Sequence, residues 1–254
     1  MNAQSPRPEL IDRLRAQIAD VGAPPRAVGC LPFGVEALDA RLSGCGLNRS
    51  ALHEVAAAAS SLVADAAATL FLAGIAARLS EGGGTVLWAV TRFDLYSPGL
   101  EQVGLLPDRT LYVEAKEDKD VLAVMEDGVR HGTLAAVVGE VRRADMIATR
   151  RLQLAAGERA VPVFLFRRWR RSGACPLAEP SAAATRWRIG CAPSAPLGIP
   201  GVGMPRWSIE LVRQRNGAPF SFIMEGCDAT GRLALPAAAR DRAAVAAGAA
   251  ARAA

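Results

Sequence analysis

Short runs of mainly apolar residues alternate with longer helical segments between residues 51 and 166. The apolar runs predict strands over 51–56, 85–90, 109–114, 134–139 and 161–166, and the intervening segments predict helices over 60–79, 98–103, 118–131 and 144–156. Strands that are apolar along their whole length are typical of a parallel sheet covered by helices on both faces. The alternation therefore predicts an α/β fold with a mostly parallel sheet.

The pattern changes after a Pro-, Ala- and Ser-rich loop at 172–184. Four short strand-like runs follow, TRWRIG, RWSIELVRQ, PFSFIME and RLALP, and they indicate an antiparallel extension on one edge of the sheet. We therefore expect one core domain over 30–236. A helix and linker at 1–29 precede it, and an Ala- and Arg-rich tail at 237–254, which we predict to be disordered, follows it.

The predicted N-terminal helix at 8–20 is amphipathic. Leu10, Leu14 and Ile18 recur at helical spacing with charged residues between them. An apolar stripe on a tethered helix needs a surface to cover it. We expect this stripe to pack on another protomer or on a partner chain.

Charge is distributed unevenly along the chain. The whole sequence carries a formal net charge of +5, whereas the segment from Arg142 to Arg215 holds fourteen arginines against four acidic residues, a formal charge of +10. Such asymmetry indicates a polyanion or an acidic protein surface as the partner.

The cysteine and histidine content argues against a metal site. The five cysteines include no CxxC pair, and His53 and His131 are the two histidines. Neither a zinc site nor a disulfide framework is predicted.

The first residues contain no apolar leader, and no uncharged apolar run reaches the length of about 18 residues that a membrane span needs. We expect a cytoplasmic protein with no metal, no cofactor and no membrane contact.

Four stretches, in order, resemble the core of the RecA ATPases. They are LPFGVEALDARLSGCGLNRSALHEV at 31–55, the strand–turn–strand run through Leu105, the strand LAAVVGE at the Walker B position, and the strand pair WSIELVRQRNGAPFSFIMEG. Within this fold group the chain most resembles the ImuA (inducible-mutagenesis) family, because it combines this frame with a short LHEV strand and no usable phosphate loop.

The phosphate-loop positions carry the wrong chemistry for a nucleotide. In G-x-x-x-x-G-K-[ST], glycines bring backbone N–H groups to the phosphates, the lysine reaches them and the hydroxyl holds Mg²⁺. These four positions fall on Ala57, Leu62, Val63 and Ala64. The catalytic-base position falls near Arg92 and the Walker B acid near Gly139 or Glu140. We expect no catalytic residue and no ATPase activity. If 51–80 is instead an ordinary strand and helix, the same conclusion follows.

An arginine cluster follows the fifth predicted strand. It consists of Arg167, Arg168, Trp169, Arg170 and Arg171. Ligands gather at the carboxyl ends of parallel strands, and arginines beside an aromatic ring suit phosphate contacts and base stacking. We predict that the cluster contacts single-stranded DNA or an acidic partner protein, with a solvated basic loop as the alternative. Because buried unpaired guanidinium groups are very costly, we expect all four arginines to face water or the partner.

Other polar residues are expected to be structural. His53 and Glu54 are adjacent in a strand, so their side chains point to opposite faces and cannot act on one substrate atom. We expect Trp88 in the core and Glu140 as a cap at the end of its strand. His131 is expected to interact with a helix C-terminus.

The resemblance implies a non-catalytic adaptor in DNA-damage-induced mutagenesis. It implies a role in translesion synthesis beside an inactive Y-family polymerase homologue and an error-prone C-family polymerase, with RecA as a further partner, in the cytoplasm at the nucleoid. A cell-division inhibitor of the SOS response that resembles SulA is the alternative. The length of the chain and its C-terminal strand pair argue against that alternative, and the apolar segment at 57–64 argues against a true ATPase.

Overall fold

The computed structural model describes residues 29–169, 173–194, 201 and 203–236. Within them, β1 (Cys30–Leu31) and β2 (Leu47–Asn48) form a small antiparallel pair. The main sheet contains eight strands, β3 (Leu52–Ala57), β4 (Val86–Val90), β5 (Thr110–Glu114), β6 (Ala136–Val141), β7 (Val163–Arg167), β8 (Thr185–Ala192), β9 (Arg206–Gln214) and β10 (Phe220–Glu225). Their order across the sheet is β10-β9-β8-β3-β7-β6-β4-β5.

Helices connect the strands and cover the sheet. They are α1 (Glu36–Asp39), α2 (Leu62–Ser80), α3 (Ser97–Glu101), α4 (Asp118–His131) and α5 (Met146–Arg159), with 3₁₀ turns at Pro107–Arg109 and Pro176–Ala178. The predicted α/β fold is confirmed: the sheet is mostly parallel, helices flank it, and antiparallel strands lie at its C-terminal end.

Two expectations about the C-terminal strands are wrong. The run TRWRIG, now β8, is parallel to β3 and becomes the sixth parallel strand. The segment between β7 and β8 is long enough to return the chain to the opposite end of the sheet, as a parallel connection requires. The run RLALP makes only an isolated bridge between Ala234 and Glu225. A turn in which Asp228 accepts from the Arg232 N–H precedes this bridge.

The alternation of side chains along each strand divides the core into two layers. Residues such as Val55, Trp88 and Phe166 pack against α2 on one side, which we call the α2 face. Residues such as Leu52 and Leu165 belong to the layer on the other side, which we call the α4–α5 face. Both faces of the parallel strands β3, β4, β6 and β7 are buried, as their continuous apolar runs predict, whereas the edge strand β5 is partly exposed.

Helix α2 is the central helix of the fold. Its 19 residues have the length and apolar composition of a membrane span. However, 67% of the 18-residue stretch with that composition is buried inside the protein. Ser61 begins the helix as its N-cap and accepts a hydrogen bond from the Ala64 N–H at 3.2 Å. These features are those of a core helix that packs on a sheet.

His53 is fully buried in β3 and joins that strand to its neighbours. Its Nε2 lies 2.8 Å from the Asn48 carbonyl oxygen, which can only accept, so Nε2 carries the proton. Nδ1 accepts from the Thr185 hydroxyl at 2.7 Å, and the Thr185 oxygen accepts from the Trp187 N–H at 2.7 Å. Burial lowers the pKa of His53 to about 4, although the hydrogen bond to Asn48 opposes this shift. The expected structural role of His53 is confirmed.

Acidification should destabilise the fold through His53. The unfolded chain takes up a proton on this ring near its ordinary pKa of 6.5, whereas the folded chain takes it up only at about 4. Stability is therefore full above pH 6.5 and falls as the pH drops towards 4, by about 3 kcal/mol at most. Denaturant unfolding of the wild type and of His53→Gln at several pH values measures this difference.

The exposed His131 provides the matched control. His53→Gln should show a shallower loss of stability between pH 6.5 and 4 than His131→Gln, which keeps the buried ring of His53. Equal slopes for all three proteins would contradict this assignment.

Candidate functional site at the carboxyl edge of the sheet

The connection between β3 and α2 has the strand–loop–helix order of a phosphate loop. Ala57 is the last residue of β3 and Leu62 is the first of α2. Leu62 and Val63 expose 88% and 64% of their surface. An anion that approached this helix N-terminus would therefore meet two apolar side chains.

Several backbone N–H groups of the connection already have acceptors. The Ala58 N–H donates to the Ile189 carbonyl at 2.7 Å and the Ser61 N–H to the Ala59 carbonyl at 2.9 Å. The Ser61 hydroxyl accepts from the Ala64 N–H. A phosphate cradle needs several N–H groups that point together at the anion. These hydrogen bonds direct them to the protein instead.

Glu140 is the acidic residue at the Walker B position. The alternative position, Gly139, faces α4, where a Cβ atom would overlap the Met125 thioether. The Glu140 carboxylate accepts from the Trp88 indole N–H at 2.8 Å and from Arg168 Nε at 2.7 Å. The expectation that Glu140 caps the end of its strand is wrong, because its carboxylate lies on the α2 face with these two donors. Trp88 lies in the core, as expected.

Burial raises the pKa of the Glu140 carboxyl above its ordinary value, and the charge of Arg168 and the hydrogen bonds from Trp88 and Arg168 oppose this shift. The same balance holds at Asp65, where burial raises the pKa and Arg168 lowers it. Arg168 thus stabilises the ionised form of two partly or fully buried carboxylates.

Arg168 contacts carboxylates from three different elements. It pairs with Glu140 of β6, with Asp65 of α2 at 3.3 Å and with Asp94 of the β4–α3 loop at 3.8 Å. Its guanidinium also lies 4.3 Å from the centre of the Phe166 ring. The side chain is only 21% exposed. The guanidinium therefore links β6, β7, α2 and the loop after β4 at the edge where a nucleotide would sit in a phosphate-loop protein. We call Arg168 and these three carboxylates the Arg168 cluster.

Arg92, at the catalytic-base position, lies at the rim of the Arg168 cluster. It pairs with Asp94 at 3.3 Å, and its side chain is 80% exposed. In water such a pair contributes little to stability.

Arg167 points to the opposite face of the sheet. It is fully buried and donates to Glu54 at 3.0 Å and to Glu179. Arg186 also donates to Glu54, at 2.7 Å. The expectation that all four arginines of the predicted cluster face water or a partner is wrong for Arg167 and for Arg168, because carboxylates of the chain itself pair with both. Glu54 has the structural role that we expected.

Trp169 is engaged inside the fold. Its indole N–H donates to the Ala57 carbonyl oxygen at 2.8 Å, and its partly buried ring packs against the core. Arg170 and Arg171 lie outside the described residues, as do Leu10, Leu14 and Ile18 of the predicted N-terminal helix. The partner contacts predicted for these five residues stay predictions.

Two buried carboxylates at the carboxyl edge are paired with arginines of the chain: Glu54 with Arg167 and Glu140 with Arg168. Among the residues that the structure describes, no group of three or more His, Cys, Asp or Glu side chains could hold a metal ion.

The strand order, the helix-covered faces and the strand–loop–helix connection define an α/β protein of the RecA-like class. Comparison with known proteins identifies the family within this class. No family model matches the chain. Protein ImuA from two strains of Caulobacter vibrioides, NA1000 / CB15N and ATCC 19089 / CIP 103742 / CB 15, is 37% identical over 205 residues, which cover 78% of this chain and 84% of each relative. The chain therefore belongs to the ImuA family, and the resemblance identified from the sequence is confirmed.

Removal of the Arg168 charge should destabilise the protein. Arg168→Met leaves Glu140 buried without its cation, which costs about 3 kcal/mol. Glu140→Gln in the same chain removes the orphaned charge and keeps an acceptor for Trp88, so the double variant should be more stable than Arg168→Met alone. Chemical denaturation of the two single variants and the double variant forms a double-mutant cycle that measures the coupling.

Arg92→Met is the control, because it removes an exposed arginine from the same edge. Its effect should stay within about 0.5 kcal/mol. Additive effects of Arg168→Met and Glu140→Gln would refute the coupling.

Proposed function

We propose that this protein is a non-catalytic adaptor in DNA-damage-induced mutagenesis. It assembles with an inactive Y-family polymerase homologue and an error-prone C-family polymerase in translesion synthesis, and it works at the nucleoid in the cytoplasm. RecA and single-stranded DNA are further contacts in this proposal. Membership of the ImuA family supports this role over that of a SulA-like division inhibitor.

The main support for a non-catalytic role is the chemistry of the carboxyl edge. Apolar side chains stand at the lysine and hydroxyl positions of the phosphate loop, at Val63 and Ala64. A hydrogen bond to a charged group contributes about 1.5–3 kcal/mol, so losing several such bonds to phosphate and Mg²⁺ leaves little affinity for a nucleotide. Arg168, a cation of the chain itself, is paired with the carboxylate at the Walker B position.

ATP should neither bind tightly nor be hydrolysed. We expect isothermal titration calorimetry with ATP and Mg²⁺ to find no affinity tighter than millimolar, and we expect no phosphate release above background. Val63→Lys alone should not restore either property, because Leu62 still occupies the second glycine position and two loop N–H groups keep their internal acceptors. Micromolar affinity in the wild type would overturn the non-catalytic role.

The adaptor role predicts a stable complex of purified components. The full chain should co-elute with the Y-family homologue in size-exclusion chromatography and should recruit the C-family polymerase to it. If the predicted stripe of Leu10, Leu14 and Ile18 contributes, deletion of residues 1–22 should weaken the complex or change the oligomeric state. A full chain that captures neither polymerase would contradict the adaptor role, whatever the result with ATP.

A further inference from the structure

The outer surface of α5 carries exposed apolar side chains. Ile147, Leu154 and Met146 expose 70%, 57% and 44% of their surface. Ile147 and Leu154 are about two helical turns, or about 10 Å, apart and lie on one side of the helix. The opposite side of α5 buries Leu152 and Ala156 in the core. The outer apolar residues are therefore not needed for packing within the described chain.

Exposed arginines lie next to these apolar residues in the sequence. Arg142, Arg143 and Arg150 are exposed, and across the described ranges no carboxylate pairs with their guanidinium groups. Arg151, the next residue on the helix, differs because it pairs with Glu126. We call Arg142, Arg143, Met146, Ile147, Arg150 and Leu154 the α5 surface.

The backbone beneath the α5 surface is fixed by local hydrogen bonds. Asp118 of α4 accepts from the Arg142 N–H at 3.2 Å and from the Arg143 N–H at 2.9 Å. Asp145 caps α5 by accepting from the Ala148 N–H at 2.7 Å. Asp118 and Asp145 thus accept from backbone N–H groups, and the side chains of the three arginines are exposed. A partner meets a surface whose geometry is already set, which lowers the entropic cost of binding.

We propose that the α5 surface is the docking site for an acidic amphipathic segment of a partner protein. The proposal rests on the adaptor role and names the surface that such a role would use. The segment must supply two apolar side chains about 10 Å apart to cover Ile147 and Leu154, with carboxylates beside them to meet the three arginines. Exposed apolar residues with arginine and methionine at their margin have the composition of a protein–protein contact.

The chemistry of the surface favours a protein over the other occupants. Single-stranded nucleic acid binds where aromatic rings stack on bases, and the apolar residues of the α5 surface are aliphatic. In a symmetric contact between two copies, only residues near the two-fold axis meet their own counterparts, so self-association is treated as a separate outcome of the test below. An acidic segment supplies a carboxylate for each arginine and needs no base stacking.

The test measures binding of the purified Y-family homologue to matched double variants. Arg142→Glu with Arg143→Glu, and Ile147→Ser with Leu154→Ser, should each weaken binding by about tenfold or more. Arg213→Glu with Arg215→Glu is the charge control, because it reverses two exposed arginines elsewhere on the surface. Leu111→Ser with Ile223→Ser is the apolar control, since these side chains are 52% and 48% exposed. Both controls should bind within about threefold of the wild type.

A second probe separates this proposal from the adaptor role. It is a synthetic helical peptide with two leucines seven residues apart and flanking glutamates, and its binding is followed by chemical shifts of the α5 amides. If the wild type binds the peptide but neither polymerase, the adaptor role fails and the docking site stands. If α5-surface variants bind both probes as the wild type does, or if neither probe binds, the docking site is refuted. Displacement of the peptide by oligo-dT, or loss of self-association in the α5-surface variants, would assign the surface to nucleic acid or to a second copy and also overturn it.

Discussion

The carboxyl edge of the sheet depends on one guanidinium group. Arg168 donates to Glu140, contacts Asp65 and Asp94, and lies over the ring of Phe166. Removing a guanidinium and a carboxylate from water costs several kcal/mol per ion, and their attraction offsets that cost only when good geometry satisfies the remaining donors. Arg168 meets this condition because its Nε and both Nη atoms each face a carboxylate. Without it, three like charges would remain near one another on three different elements.

Arg167 neutralises a buried carboxylate on the α4–α5 face of the sheet. Successive residues of a strand point in opposite directions, so the pair at the end of β7 delivers one positive charge to each side of the sheet. Arg167 meets Glu54 of β3, which also binds Arg186 of β8. The two arginines therefore tie the central strand to β3, β6 and α2. The chain supplies both charges of every one of these pairs, and no bound ligand is required to neutralise them.

Local patterns predicted the secondary structure well, and long-range pairing accounts for most of what they missed. Continuous apolar runs were sufficient for β3, β4, β6 and β7, because burial on both faces requires apolar residues throughout a strand. The parallel direction of β8 depends on where a long connection returns, which no local pattern records. The alternation that separates His53 from Glu54 also separates Arg167 from Arg168, yet Glu54, one of the two partners of Arg167, lies 113 residues away. The sequence therefore predicted that the run of arginines beginning at Arg167 is exposed, although Arg167 is buried.

The difference between buried, paired arginines and exposed ones explains why total charge is a poor guide to binding surfaces. Of the arginines between Arg142 and Arg215, some neutralise carboxylates inside the fold, as Arg167 and Arg186 do, and others, such as Arg142 and Arg150, have no ion pair among the described residues. Only the second group can attract a partner. A ligand shifts a protein between states only if it binds them with different affinities. In the adaptor that we propose no nucleotide binds, so assembly would follow the concentration of the partner and not a nucleotide cycle.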